Sequence, residues 1–314
     1  MKFKMFNKKV GTILVLLTVS LIFLTKISQA EEKLSFMERF SLKLTGGLAY
    51  VSVGDINRSI DSFNNGLKEA VRYSNDSLNG EIEELNYGFD WEAELRIDIS
   101  DKVGIGFATG YIHLKNESSL TYTIRGWDRN EINIYSFEPK VTAVPLKLRV
   151  YYTLPVTPKS KLFLNGGIGY YFAKCSQGEK RKWRSVITDR WWNENKYWEV
   201  NSGNFGFHGG IGIEYNLTKN LALMIEGEGR YAKIKKLKGK GKWIWEPKEV
   251  NGTLYYYTWF DWRIGEWGEW YDGLAVFESV EAGNRRLVWE RVLREAILDL
   301  SGFSLRVGIK IKLF

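Results

Sequence analysis

The sequence is poor in the residues that staple or ligate. It has one cysteine, Cys175, so no internal disulfide can form, and only two histidines, His113 and His208. A zinc site built from Cys and His therefore lacks ligands, and neither a metal nor another cofactor is expected. Proline is scarce, at 5 residues in 314. After the first thirty residues no stretch approaches the eighteen or so uncharged apolar residues that a transmembrane helix needs. What remains is abundant glycine (31) and aromatics, with Trp 13, Tyr 17 and Phe 17. Glycine with aromatics suits sheets bordered by aromatic girdles.

The opening thirty residues read as an export leader. Lys2, Lys4, Lys8 and Lys9 precede a charge-free run from Val10 to Leu24, and Ser28-Gln29-Ala30 supply small residues before Glu31-Glu32. This is a basic region, an apolar core too short to span a bilayer, and a cleavage site after Ala30. The formal charge of +8 is partly a property of this leader, which carries five lysines and no acid. Without it, 40 basic residues face 37 acidic ones, so charge gives no argument for nucleic acid as a partner. The organisation expected is a leader over 1–30, a short periplasmic segment over 31–38 and one β-barrel domain over 39–314.

The domain alternates with period two. Eight strands are expected: Phe40–Val53, Glu83–Ile99, Val103–Lys115, Ile134–Leu154, Lys161–Lys174, Asn204–Asn216, Asn220–Ile234 and Phe303–Phe314. Three connections are short: Ser100-Asp101-Lys102, Pro155 to Ser160 and Leu217-Thr218-Lys219. Four are long, at about 54–82, 116–133, 175–203 and 235–302. Short and long connections fall on opposite ends, as in outer-membrane barrels. The fourth strand places Val144, Leu146, Leu148, Val150 and Tyr152 on one face and Lys147, Arg149 and Tyr151 on the other. The second, seventh and eighth strands behave alike. A soluble barrel would turn the apolar faces inward. The leader, the sorted loops and Tyr111, Tyr152, Tyr170, Tyr215 and Tyr231 near strand ends favour the membrane. The fold class expected is all-β, an eight-stranded antiparallel up-and-down transmembrane barrel.

An eight-stranded lumen is just wide enough for side chains to fill. The polar face puts Lys43, Glu92, Glu94, Arg96, Lys147, Arg149, Glu214, Glu226, Glu228, Arg230 and Arg306 there. They form either a salt-bridged plug or the lining of a narrow conduit. Glycine clusters at Gly104-Ile105-Gly106, Gly166-Gly167-Ile168-Gly169 and Gly209-Gly210-Ile211-Gly212 leave room for large neighbours.

The long connections hold the remaining signals. The first reads as a helix, with Ile56, Ile60, Phe63, Leu67 and Val71 at helical spacing and Asp55 placed to cap it. The third carries Trp183, Trp191, Trp192 and Trp198 among basic residues. The fourth carries Trp243, Trp245, Trp259, Trp262, Trp267 and Trp270, and a second helix is expected over Glu281–Leu300. These ten tryptophans either pack together as a cap or form a binding surface for glycolipid, polysaccharide or protein.

The chain resembles the small outer-membrane β-barrel superfamily of opacity-type and outer-membrane-protein-A-like barrels. The likeness rests on the leader, the eight-strand plan, "GIGFATGYIHL" (104–114), "VPLKLRVYYTLP" (144–155), "GGIGYYF" (166–172) and the terminal Phe314. It implies residence in the bacterial outer membrane, with the lipid bilayer and the barrel-assembly machinery as partners. Phe314 is then the assembly signal, although counting back by two from it meets Lys312, Lys310 and Arg306, the polar set. The family hosts adhesins, anchors, porin-like proteins and a few enzymes. The first expectation here is a monomeric, non-enzymatic barrel that is structural or binds through its loops. The second is a small porin. The third is an envelope lipid-modifying enzyme using His113 with Ser118 or Ser119.

Overall fold

The computed structural model describes residues 39–72, 74–126, 130–242, 250–261, 269–277 and 290–313. In chain order the elements are β1 (Phe40–Val51), α1 (Asp55–Arg72), β2 (Ser77–Gly80), β3 (Tyr87–Asp98), β4 (Val103–Lys115), β5 (Ser118–Arg125), β6 (Asn130–Pro155), β7 (Ser160–Ser185) and β8 (Arg190–Asn216). There follow β9 (Leu221–Tyr231), β10 (Lys233–Ile234), β11 (Lys238–Lys242), β12 (Val250–Asp261), β13 (Glu269–Phe277), β14 (Glu290–Glu295), β15 (Leu298–Asp299) and β16 (Gly302–Lys312). Eight of them, β1, β3, β4, β6, β7, β8, β9 and β16, form a closed antiparallel ring. It closes where β1 meets β16, from Ser41↔Lys312 to Val51↔Gly302.

The three short connections share one device. In each, a hydroxyl accepts two backbone N–H groups: Ser100 Oγ from Lys102 and Val103, Thr157 Oγ1 from Lys159 and Ser160, and Thr218 Oγ1 from Asn220 and Leu221. Such turns replace lost ladder bonds locally and fix the register of the hairpin.

Nearest the turns, the ring is apolar outside and polar inside. Leu44, Leu48, Leu95, Phe107, Leu146, Leu148, Val150, Ile168, Ile211, Ile225, Leu305 and Val307 are exposed on the outer face. A continuous exposed belt of this size is solvated by lipid, not water. Tyr152 and Tyr215 border it at the turn end, and Tyr87, Phe89, Trp91, Tyr231 and Phe303 at the other.

Farther from the turns the two faces exchange chemistry. On β6 the inward residues run Thr153, Tyr151, Arg149, Lys147, then Pro145, Ala143, Val141, Pro139, Phe137 and Tyr135. The outward ones run Leu154 to Val144 and then Thr142, Lys140, Glu138 and Ser136. The period of two is unbroken, but the solvent outside has changed from lipid to water. Pro145 sits at the exchange. It has no N–H to donate, and the β4–β6 ladder is interrupted there, between Leu146↔Thr109 and Ala143↔Ile112.

The wet part of the barrel encloses an apolar core, and α1 fills it. Ile56, Ile60, Phe63, Leu67 and Ala70 of α1 are buried with Val51, Leu114, Tyr122, Tyr135, Phe137, Val141, Tyr171, Trp198 and Leu274. Each of the larger apolar side chains contributes on the order of 2 kcal/mol by leaving water. The helix foreseen in the first connection is therefore present, but it lies inside the mouth. Asp55 does not cap it. Gly54 accepts the first helical bond, from Arg58 N, and the Asp55 carboxylate takes Arg294 in a two-pronged pair at 2.6 Å each and Ile297 N at 2.7 Å.

The other expected loops are largely strand. β5 continues β4 in unbroken register against β6, from Val103↔Tyr152 to Arg125↔Asn130. β7 and β8 pair without a slip from Ser160↔Tyr215 to Ser185↔Arg190. The helix expected over Glu281–Leu300 is not formed where the structure describes that segment. Glu290–Glu295 pairs with β12 and Leu298–Asp299 with β10. Open partner strands outweigh local helical spacing there. Residues 281–289 lie outside the described residues.

Cys175 is buried in the same apolar core, above the lipid belt, and burial pushes its thiol up to about 12. Phe63 holds this core together by packing on Tyr135 and Phe137, each at 5.1 Å between centroids. Phe63→Ala should cost the core about 3–5 kcal/mol. The lipid-embedded ring should stay folded while maleimide labelling of Cys175 accelerates at least about tenfold, since exposure returns the thiol toward its ordinary range. Labelling at the wild-type rate would show that the core does not depend on Phe63.

Candidate functional site

All eleven charged residues that the alternation places inside are buried in the ring, none more than 5% exposed. They form three tiers. In the middle tier Arg149 donates to Glu92, Glu94 and Glu228, with Nη1 2.5 Å from Glu94 and Nη2 2.6 Å from Glu92. Lys147 bridges Glu92 at 2.8 Å and Glu228 at 2.5 Å. Arg306 enters from the opposite wall, meeting Glu92 at 3.0 Å, Glu226 at 3.2 Å and Glu228 at 2.8 Å. Lys43 pairs with Glu226 at 2.7 Å. Tyr151 donates to Glu94 at 2.8 Å and accepts from Lys43 at 3.2 Å.

The tier nearest the turns joins Lys310 to Glu214 at 2.6 Å and Arg96 to Asp98 at 2.7 Å, with Arg96 stacked over the Tyr151 ring at 4.5 Å. The tier nearest the mouth joins Arg230 to Asp90 at 3.4 Å, to Ser304 Oγ at 2.9 Å and to Leu300 O at 2.8 Å. With Asp90, Asp98 and Lys310 included, seven carboxylates face seven cations. Asp90, Asp98, Lys310 and Tyr151 were not among the eleven residues assigned to this network from sequence. Asp98 and Lys310 lie on the polar face of their strands, which was the available signal. Asp90 lies one step beyond Glu92 on the same face, and Tyr151 reads as an ordinary strand aromatic.

Room for these long side chains comes from glycine and alanine opposite them. Lys147 pairs with Ala108 and Gly169, and Arg149 with Gly106 and Gly167. A Cβ at Gly106 would lie 2.7 Å from Glu94 Oε1. The lumen is consequently filled by pairs of opposite charge across the ring. A hollow of about 530 Å³ opens below it, at the turn end, lined by Lys159, Lys161, Lys219, Lys310, Lys312 and Glu214.

The two histidines do not form sites. His208 is buried in the lumen, and neither ring nitrogen finds a hydrogen-bond partner among the described residues. His113 lies on the outer face, stacked on Tyr111 at 5.9 Å. Ser118, its suggested companion, uses its Oγ to accept Glu83 N at 3.0 Å.

Among the loop tryptophans, Trp183 and Trp192 stack at 3.9 Å on the β7–β8 hairpin, and Trp191 is half exposed beside Arg184. Val186 and Ile187 stand exposed at the hairpin tip. Trp198 is buried in the apolar core and offers nothing to a partner. In the β12–β13 ladder Trp259 is paired with Tyr271 and Trp270 with Phe260. Trp243, Trp245, Trp262 and Trp267 lie outside the described residues, as does Phe314. Leu313, one residue earlier, is exposed on the outer face.

A family model described as the outer membrane protein beta-barrel domain matches residues 28–256. No curated protein matches the chain. Among solved structures, the outer membrane protein OprG from Pseudomonas aeruginosa is 9% identical, covering 86% of this chain and 94% of its own, with a TM-score of 0.34. Acinetobacter baumannii CarO is 11% identical over 89% of this chain and 99% of its own, at 0.33. The outer membrane protease OmpT from Escherichia coli is 8% identical over 89% and 99%, at 0.27. Scores this low bear on neither site nor activity.

The middle tier predicts a large asymmetry between single and paired substitutions. Arg149→Met leaves Glu94 with no ion-pair partner among the described residues, takes one of three cations from each of Glu92 and Glu228, and should destabilise the barrel by about 3–5 kcal/mol. Adding Glu94→Gln should return part of that loss, because one stranded charge disappears with it. Urea unfolding of the refolded barrel in detergent measures both. Equal midpoints for wild type and Arg149→Met would show that the pairs carry no stability.

Proposed function

The chain belongs to the outer membrane protein β-barrel domain family and resides in the bacterial outer membrane; from that premise we propose that it is a non-enzymatic, closed barrel that works through the surface it raises outside the membrane. The observation that carries this reading is the double closure of the lumen. Seven carboxylates and seven cations interlock across the ring, and α1 with its apolar core fills the mouth above them. A solute would have to break several buried ion pairs and displace a helix tied by Asp55 to Arg294.

What the barrel offers instead is the β7–β8 hairpin. Its tip joins exposed Val186 and Ile187 to Trp191 and Arg190, an aliphatic and aromatic point beside a positive charge, with Arg184 paired to Asp189. This composition suits a protein or polysaccharide surface that is apolar at the centre and acidic around it. Among the described residues no nucleophile, base and orienting group come together at this tip, and Ser118 accepts a backbone bond.

The second reading is a gated passage. The hollow of about 530 Å³ below the lowest tier favours it, because solute from the periplasm can reach Lys310 and Glu214. Planar-bilayer recording of the refolded full-length barrel separates the two. The closed-barrel reading expects a silent membrane after confirmed insertion. Reproducible conductance steps that change in Glu226→Ala would overturn it in favour of passage.

A further inference from the structure

Two hollows lie one above the other and share walls from β4, β6, β7 and β8; the lower also takes Leu42 of β1 and Ala93, Glu94 and Leu95 of β3, and the upper Lys240 of β11. The lower, of about 610 Å³, lies in the lipid belt and is lined by Phe107, Leu146, Leu148, Ile168, Tyr170 and Phe205. The upper, of about 480 Å³, lies where the outer face turns polar, and is lined by Lys115, Lys140, Ser176, Tyr197, Glu199 and Lys240. The vertical relation is fixed by register. Thr109 to Lys115, Leu146 to Lys140, Tyr170 to Ser176 and Phe205 to Glu199 are each six residues, or about 20 Å along the strand.

The upper hollow holds an arrangement that folding alone does not favour. Lys115 and Lys140 are direct cross-strand partners, both exposed on the same outer face. Like charges placed directly opposite each other destabilise a sheet. Neither ammonium has an ion pair or hydrogen bond among the described residues. The nearby carboxylates are already engaged, Glu138 by Lys180 at 2.5 Å and Glu199 by Lys174 at 2.9 Å. Glu117 lies near Lys180. Among the described residues Lys115, Lys140, Lys174, Lys180 and Lys240 stand against Glu117, Glu138 and Glu199, which leaves this part of the collar positive. Between the hollows stand Tyr111, His113 and Phe172, the aromatic border of the lipid belt.

We propose that this face holds one molecule of the phosphorylated, multiply acylated glucosamine lipid of the outer leaflet, with an acyl chain in the lower hollow and a sugar phosphate between Lys115 and Lys140. A phosphate answers both ammonium groups at once through charge-assisted hydrogen bonds. The distance between the hollows matches the length of an acyl chain running down from its headgroup. The collar stands on the long-connection side of the barrel, which faces the leaflet in which that lipid resides. This assignment rests on the outer-membrane location and not on the hairpin-tip reading, so bilayer conductance does not bear on it.

The test uses the folded full-length barrel in detergent, titrated with diphosphoryl hexa-acyl lipid A and read by native mass spectrometry. One lipid should be retained per barrel. Lys115→Gln with Lys140→Gln should weaken retention at least about tenfold, while Lys219→Gln at the turn end leaves it unchanged. In lipid-free detergent the same double variant should unfold at a higher urea concentration than wild type, because the opposed charges are gone. Retention unchanged in the double variant would overturn the proposal. So would equal retention of the dephosphorylated lipid or of phosphatidylglycerol, which would make the face an ordinary lipid-contact surface. Heat-modified gel mobility confirms that each variant is folded.

Discussion

Every charge that a period-two strand sends into an eight-stranded lumen must meet its opposite there, because such an interior is about as wide as the side chains that fill it. The rest of the barrel follows from this requirement. Arg149 and Arg306 approach from opposite walls and share Glu92 and Glu228, so neither can be satisfied by its own strand. The pairs therefore fix how β3, β6, β9 and β16 stand relative to one another across the ring. They also dictate the glycines of β4, β7 and β8, whose missing side chains give the long cations and carboxylates their space. A one-residue slip of any strand would turn its charges to lipid and its leucines to the lumen. The network thus works as a register lock as much as a source of stability.

The same sheet runs through two solvents, and its chemistry inverts where the solvent does. Around Pro145 the outward residues pass from leucine and valine to lysine and glutamate, while the inward residues pass from lysine and arginine to valine, phenylalanine and tyrosine. In lipid the barrel is polar inside; in water it is apolar inside. An apolar interior in a ring of this width needs something to fill it, and α1 supplies that filling. Its attachment through Asp55 to Arg294 and Ile297 explains why the helix starts where it does, with Gly54 at a positive φ of 66° to bring the chain into the mouth.

The membrane part was legible in the sequence because one rule governs it. The strands from Phe40 to Lys174 were bounded to within a few residues on their lipid-embedded sides, and β4 was found over its full length, Val103–Lys115. The inward direction of Glu92, Arg149 and Glu226 followed from their leucine and valine neighbours. Which cation meets which carboxylate did not, since partners such as Arg149 and Glu228 are 79 residues apart. The cap was less legible for a related reason. Between Cys175 and Val200 the strands continue, but polar residues occupy both faces, with Gln177, Arg181 and Lys196 buried beside Trp198, so the polar–apolar alternation that marks a lipid-facing strand fades. The segment ending at Leu300 has helical spacing, yet its strand partners lie far back in the chain, Trp259 for Glu290 in β12 and Lys233 for Asp299 in β10. Local sequence carries no trace of that competition.

Closing the lumen and inverting the sheet have a joint consequence for where this barrel can act. Inside, each lumen charge meets an opposite one, so the interior offers stability and register, while both ring nitrogens of His208 stay without a partner among the described residues. Other unpaired groups stand on the outer face above the lipid. There Lys115 opposes Lys140, and the hairpin tip exposes Val186, Ile187 and Trp191 to water. Folding gains nothing from either feature. An opposed pair of ammonium groups costs stability in the isolated barrel, and an exposed aliphatic tip gains none. Features that a fold carries at a cost, on the faces it leaves open, are the ones whose partners lie outside the chain. In this barrel those faces are the boundary with the outer leaflet and the end farthest from the membrane.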